Sequence, residues 1–213
     1  MTPQDSSAFL LSLAARAPVI PVLVLEDEAK AAPLAEALVA GGLSLLEVTL
    51  RTSSALDALA RMAAVPGAVV GAGTVLTPED ARAAKAAGAE FAVSPGATPS
   101  LIAACTGIGL PLLPGAATAS EVMALMAAGF RFAKFFPAAQ IGGAPALKSL
   151  GGPLPQMRFC PTGGITPESA PDYLSLSNVA CIGGSWLAPA DLLAKGDFAA
   201  IRRRAESAAA LRD

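Results

Sequence analysis

The sequence predicts a single α/β domain over residues 1–213: a closed (β/α)8 TIM barrel preceded by a short N-terminal helix. Three observations carry this expectation. Eight short apolar runs recur along the chain, their ends about 20 to 25 residues apart, the length of a βα unit in a parallel sheet. Alanine- and leucine-rich stretches with helical spacing lie between them. The glycine fingerprint expected of an open doubly wound sheet is not completed: G-A-G-T-V-L (71–76) has Leu76 at the third glycine position.

Taken in order, F-L-L-S-L-A-A-R-A (9–17) superficially resembles a signal peptide, but it lacks a basic leader and its apolar run is too short. A short amphipathic helix started by Asp5 or Ser6 is expected instead. The first strand is V-I-P-V-L-V-L (19–25), where Pro21 removes a ladder hydrogen bond and predicts a local bulge. A helix follows in A-A-P-L-A-E-A-L-V-A (31–40), then strands in L-L-E-V-T-L (45–50) and A-V-V-G-A (68–72). Thr77 before Pro78, with Asp80 three residues on and Gly88 beyond, brackets a helix over 78–87. The remaining strands are F-A-V-S (91–94), L-P-L-L-P (110–114), F-A-K-F-F (132–136), M-R-F-C-P (157–161) and V-A-C-I-G-G (179–184). G-G-A-P-A-L-K-S (142–149) imitates a phosphate-binding loop, yet Leu147 stands where its second glycine belongs.

Composition removes several function classes. Charged residues make up only 15% and the net charge is −2, which argues against a nucleic-acid partner or a membrane surface. The longest uncharged stretch, Phe91 to Ser120, is broken by Pro95, Pro99, Pro111 and Pro114, so no membrane span is expected. Arg202–Arg204 reads as a solvated face of a C-terminal helix. There is no histidine, which excludes a Ser–His–Asp triad and a histidine-ligated metal. Cys105, Cys160 and Cys181 form an odd set without metal-ligand spacing, as expected of buried thiols in a reducing cytoplasm.

Side chains alternate along a strand. Leu45, Glu47 and Thr49 therefore share one face, and Leu46, Val48 and Leu50 form the apolar face expected to meet helices. Glu47 then points inward, with Arg51 just past the strand end. By the same logic Phe132, Lys134 and Phe136 share a face that can turn inward. Two readings are open for Glu47 and Lys134: a buried structural ion pair, or a catalytic pair near the ligand-binding end of a barrel. Apolar surroundings destabilise an ammonium, leaving free amine able to attack a ketone and form an imine, an electron sink for carbon–carbon cleavage. Of the five lysines only Lys134 lies in a strand. The last two strands end in P-T-G-G-I (161–165) and I-G-G-S-W (182–186), whose paired glycines allow backbone N–H groups to approach an anion.

As a set, E-V-T-L-R-T (47–52), G-A-G-T-V-L (71–76), S-P-G (94–96), L-P-G (113–115), K-F-F-P-A (134–138), F-C-P-T-G-G-I (159–165) and C-I-G-G-S-W (181–186) resemble the 2-keto-3-deoxy-6-phosphogluconate aldolase family of the Entner–Doudoroff pathway. The motifs occur in family order over nearly the whole chain. The resemblance implies a class I aldolase, free of metal and cofactor, that splits a phosphorylated keto sugar acid into pyruvate and glyceraldehyde 3-phosphate. It implies Lys134 as the Schiff-base lysine and Glu47 as acid/base acting through a water. Arg51 would hold the substrate carboxylate, Thr74 and Pro95 would place the pyruvyl part, and Phe136 would wall the pocket. Thr162 would contact the middle of the sugar chain, and Gly163, Gly164, Gly184 and Ser185 would hold phosphate. It also implies a homotrimer and side activity on 4-hydroxy-2-oxoglutarate. Many members carry a glutamate after K-F-F-P-A, where this chain has Ala139. The rival readings are a 6-phosphogalactonate aldolase, against which Thr162 weighs, a non-covalent phosphosugar enzyme, and a phosphosugar-binding barrel without chemistry.

Overall fold

A computed structural model describes residues 1–212. The chain opens with α1 (Pro3–Ala14) and then alternates: β1 (Val19–Leu23), α2 (Ala31–Ala40), β2 (Leu45–Thr49), α3 (Ala55–Ala63), β3 (Val69–Gly73), α4 (Pro78–Ala86), β4 (Phe91–Val93) and α5 (Pro99–Ile108). Next come β5 (Leu112–Leu113), β6 (Gly115–Ala116), α6 (Ala119–Ala127), β7 (Phe132–Phe135) and α7 (Gly143–Gly151). The chain finishes with β8 (Arg158–Pro161), α8 (Ala170–Leu174), β9 (Ile182–Gly184), α9 (Ala190–Lys195) and α10 (Phe198–Ala209).

The predicted α/β alternation is present, but the closed eight-stranded barrel is not. The strands form two parallel sheets, one ordered β5-β4-β3-β2-β1-β9 and the other β6-β7-β8. Two local features divide them. The fifth apolar run ends at Pro114: its Leu112 and Leu113 pair back with β4, while Gly115 and Ala116 just beyond it pair forward with β7. At the other seam β8 and β9 meet only in isolated bridges, Phe159 with Val179 and Thr162 with Gly183. Between those bridges the second chain holds one residue more than the first, and such an extra residue interrupts a continuous ladder.

Pro21 also has a different explanation from the bulge expected. β1 pairs with β9 through Val19, Ile20 and Pro21, and with β2 through Val22 and Leu23. The proline sits where the strand passes from one neighbour to the other.

α1 starts earlier than expected, at Pro3, because Thr2 rather than Asp5 or Ser6 is its N-cap. Asp5 closes a reciprocal capping box by accepting from the Thr2 N–H. Ser7 Oγ accepts from the Arg131 N–H at 2.9 Å, which ties α1 to the entry of β7. The bracket read around Thr77 holds: α4 has the Thr77 cap and Asp80 box, and Gly88 follows at φ +98°.

Two apolar clusters result. One lies between the sheets and the helices and contains Leu46, Val48, Val70, Ala133, Phe135 and Phe159. The other fills the interior that both sheets face, where Leu10, Leu13 and Ala14 of α1 meet Ile20, Leu45, Phe91, Phe132 and Cys160. Helix α1 thus packs into the same interior as the inward side chains of the strands. Cys105, Cys160 and Cys181 are all buried and form no disulfide, and burial pushes the Cys105 thiol up to about 11. Among the described residues no helix is long and apolar enough to cross a membrane.

The cap of α6 yields a pH prediction. Glu121 accepts from the Ala117 and Thr118 N–H groups at 2.8 and 2.9 Å, and these bonds hold its carboxyl below the ordinary value of 4.5. A lowered folded-state value means stability that is present above about pH 4.5 and is lost as the pH falls through that lowered value. Glu121→Ala is expected to unfold about 0.5–1 kcal/mol more easily at pH 7, as for other exposed caps. In urea titrations the gap to the parent should close under acid; a gap independent of pH would contradict this role.

Candidate active site

The interior above the α1 plug carries the polar residues. Glu47, in the middle of β2, is 3% exposed, and Lys134, on β7 of the other sheet, is 6% exposed. Lys134 Nζ donates to Glu47 Oε1 at 3.1 Å, so the pair spans the interior from one sheet to the other. The alternation read along both strands places Leu45 and Phe132 in the inner cluster and Leu46, Val48 and Phe135 in the outer one.

The phenylalanines around Lys134 therefore have separate tasks. Phe135 points out and meets Phe159 edge to face at 6.3 Å. Phe132 packs in the interior, and Phe136 presents its ring with Nζ 5.3 Å from the centroid. The lysine is not surrounded by apolar groups alone. A carboxylate within hydrogen-bond reach can take up the proton that a nucleophilic amine must shed.

The other residues named from sequence lie at or just beyond the strand ends. Arg51, exposed after β2, donates from Nε to Thr74 Oγ1 at 3.4 Å. Thr74 has φ +60° without being glycine, a conformation that costs about 1 kcal/mol or more. Pro95 is half-buried beyond β4, and its carbonyl lies against the Cα of Gly115 so closely that no Cβ would fit there. Thr162 is buried, and its hydroxyl lies over Gly183, which likewise has no room for a Cβ.

Gly163 and Gly164 turn at φ +103° and +71°, values that favour glycine. Their loop is closed by the Ala139 N–H donating to the Gly163 carbonyl at 3.0 Å and the Ala138 N–H donating to Thr162 at 2.8 Å. A Cβ on Gly164 would stand 2.7 Å from that of Ala139, so the loop after β7 rests directly on the paired glycines. Gly184 is buried, and exposed Ser185 opens on a cleft of about 440 Å³ shared with Val22, Lys30 and Leu193.

Three inward residues of the site were not singled out from sequence. Thr49 is fully buried and donates to the Leu23 carbonyl at 2.8 Å, which braces β2 against β1. Gly71 and Gly73 lie against Phe91 and Glu47 respectively. Their signal was the spacing of two glycines on the inward face of one strand, beside a strand whose inward residue is charged. Among the described residues no group of three or more histidine, cysteine, aspartate or glutamate side chains could hold a metal ion.

The family model for KDPG and KHG aldolases matches residues 11–204. The chain belongs to that family. It is 51% identical over 198 residues to the KHG/KDPG aldolase of Escherichia coli K12, covering 92% of this chain and 93% of the relative. The crystal structure of the 2-keto-3-deoxy-6-phosphogluconate aldolase of Zymomonas mobilis ZM4 with 3-phosphoglycerate superposes with a TM-score of 0.90, at 54% identity and 94% coverage of each chain. That of the KDPG aldolase of Legionella pneumophila, with pyruvate captured as a covalent carbinolamine, has a TM-score of 0.91 at 45% identity, covering 94% of this chain and 98% of that one.

The buried pair predicts a stability effect distinct from catalysis. Removing one partner of a buried ion pair leaves an uncompensated charge and costs about 3–5 kcal/mol. Lys134→Met should lose stability on that scale in urea denaturation, and adding Glu47→Gln should recover much of the loss. Equal stability of Lys134→Met and the parent would mean that the pair is solvated.

Proposed function

We propose that residues 1–213 act as one class I aldolase domain that reversibly cleaves 2-keto-3-deoxy-6-phosphogluconate to pyruvate and glyceraldehyde 3-phosphate. The observation that carries this reading is the Lys134–Glu47 contact of 3.1 Å between two buried groups on opposite sheets. Family membership and the covalent pyruvate adduct of the Legionella relative support it.

In this reading Lys134 gives up its proton and its Nζ attacks the C2 carbonyl carbon of the substrate. The carbinolamine loses water to form a protonated imine. Glu47, acting through a water, removes the proton of the C4 hydroxyl, and the C3–C4 bond breaks. The aldehyde leaves, and the bonding electrons pass into the imine to form an enamine. Protonation at C3 gives the pyruvate imine, and hydrolysis releases pyruvate and restores the amine. Arg51 holds the carboxylate, Thr74 and Pro95 place the pyruvyl portion, and Phe136 walls the pocket. Thr162 meets the middle of the chain, while backbone N–H groups at Gly163, Gly164 and Gly184, with the Ser185 hydroxyl, hold the phosphate. Thr162 favours the phosphogluconate-derived substrate over its phosphogalactonate epimer, because a hydroxyl in place can hydrogen-bond a substrate hydroxyl. The reading includes activity on 4-hydroxy-2-oxoglutarate, a homotrimer and a cytoplasmic location; the sparse charge and the buried cysteines without a disulfide support the last two.

Incubation with pyruvate and borohydride is expected to add a covalent mass to the peptide containing Lys134, and an unmodified peptide would remove the aldolase reading. Lys134→Ala should abolish measurable turnover with the fold retained. Glu47→Gln should lower kcat by about 10²–10⁴ while some imine is still trapped. A coupled assay of pyruvate release, run on both epimeric substrates, should favour the phosphogluconate-derived one.

A further inference from the structure

We propose that Gly73 is a positioning residue for the reaction: the missing side chain at this position lets the Glu47 carboxylate lie on Lys134. The inference deepens the aldolase reading and rests on it. β2 and β3 pair with Glu47 beside Gly71 and Thr49 beside Gly73, so both glycines lie on the inward face next to the carboxylate. Each is occupied differently. The Phe91 ring covers Gly71, and Glu47 itself covers Gly73. A Cβ added to Gly73 would stand 2.7 Å from Cγ and 2.8 Å from Cδ of Glu47, and would overlap Oε1, the oxygen that accepts from Lys134.

Space, not backbone conformation, is the reason for this glycine. Gly73 is not among the residues with positive φ and sits in a regular strand, where glycine is a weak choice unless something must approach closely. Nor can the crowding be relieved on the strand side. The Gly73 carbonyl accepts from the Leu50 N–H at 2.8 Å, and just beyond it the Val75 N–H donates to Val93 at 3.1 Å, which pins β3 on both sides. On the far side of Glu47, Val22 is its register partner on β1, and buried Thr49 is bonded to Leu23. An added methyl therefore displaces the carboxylate from the place where its Oε1 accepts from Lys134.

The test is a double-mutant cycle read through proton transfer. Exchange of the pyruvate methyl protons with deuterated water, followed by NMR, reports protonation at C3 of the enamine. Gly73→Ala is expected to slow this exchange and kcat for cleavage about 100-fold, as a misplacement near 1 Å can do, with KM changed less than about threefold. Borohydride should still add mass at Lys134. In a Glu47→Ala background the same glycine substitution should slow exchange by less than about threefold, because no carboxylate remains to be displaced. Equal factors in both backgrounds, or parental exchange in Gly73→Ala, would overturn the inference and leave the aldolase reading standing. A parent chain that borohydride fails to trap would remove the aldolase reading, and this role with it. Should Gly73→Ala not fold, Gly73→Ala with Glu47→Asp decides: recovery of the fold places the clash at Glu47, and continued unfolding overturns the inference.

Discussion

An ammonium and a carboxylate buried together between two sheets are the constraint on which the rest of this molecule depends. Lys134 and Glu47 lie on strands far apart in the chain, and each is almost wholly withdrawn from water. Taking either charge out of water alone would be heavily unfavourable, so the two strands must deliver them to the same point. Neither strand can slip by one residue, since that would exchange the charged face for the apolar one. Each strand carries apolar residues outward against helices for this reason: Leu46 and Val48 on β2, Ala133 and Phe135 on β7. The outer cluster sets the register that holds the inner pair.

What could be read from the sequence follows the reach of each signal. The alternation of L-L-E-V-T-L and F-A-K-F-F is local, and the inward turn of Glu47 and Lys134 came directly from it. The Thr77–Asp80 box is also local and was read correctly. Sheet closure is different, because it depends on pairings between distant strands. Eight apolar runs suggest eight equivalent strands, yet at Pro114 the chain changes partner from β4 to β7, and an extra residue disturbs the seam of β8 with β9. The sequence marks the proline but not which neighbour the chain will choose on either side of it. Likewise Pro21 read as a fault in a strand, and its place at the change of partners appears only with both neighbours present.

The glycines show the same limit from the other direction. G-A-G in β3 matches the first two glycines of the fingerprint of an open doubly wound sheet, a pattern in which glycine serves a turn. Here the glycines serve the interior, by leaving room for Phe91 and Glu47. Gly183 does the same for Thr162, and Gly115 for the backbone at Ser94 and Pro95. A missing side chain is informative only once the neighbour that fills its place is known.

The placement of the pair also decides from which side it can be reached. α1 packs into the interior with Leu10 and Leu13 against Leu45 and Phe132, below the charged pair on β2 and β7. A ligand approaching the pair therefore enters past the strand ends, where the Gly163–Gly164 loop and Gly184–Ser185 lie. Backbone N–H groups can meet a phosphate there without a cluster of cations, whose positive field would act directly against an ammonium at Lys134. Besides Lys134, the other cation named at the site, Arg51, is exposed at the rim. In the proposed reading, anion recognition by backbone and covalent chemistry by a buried amine answer to one electrostatic constraint.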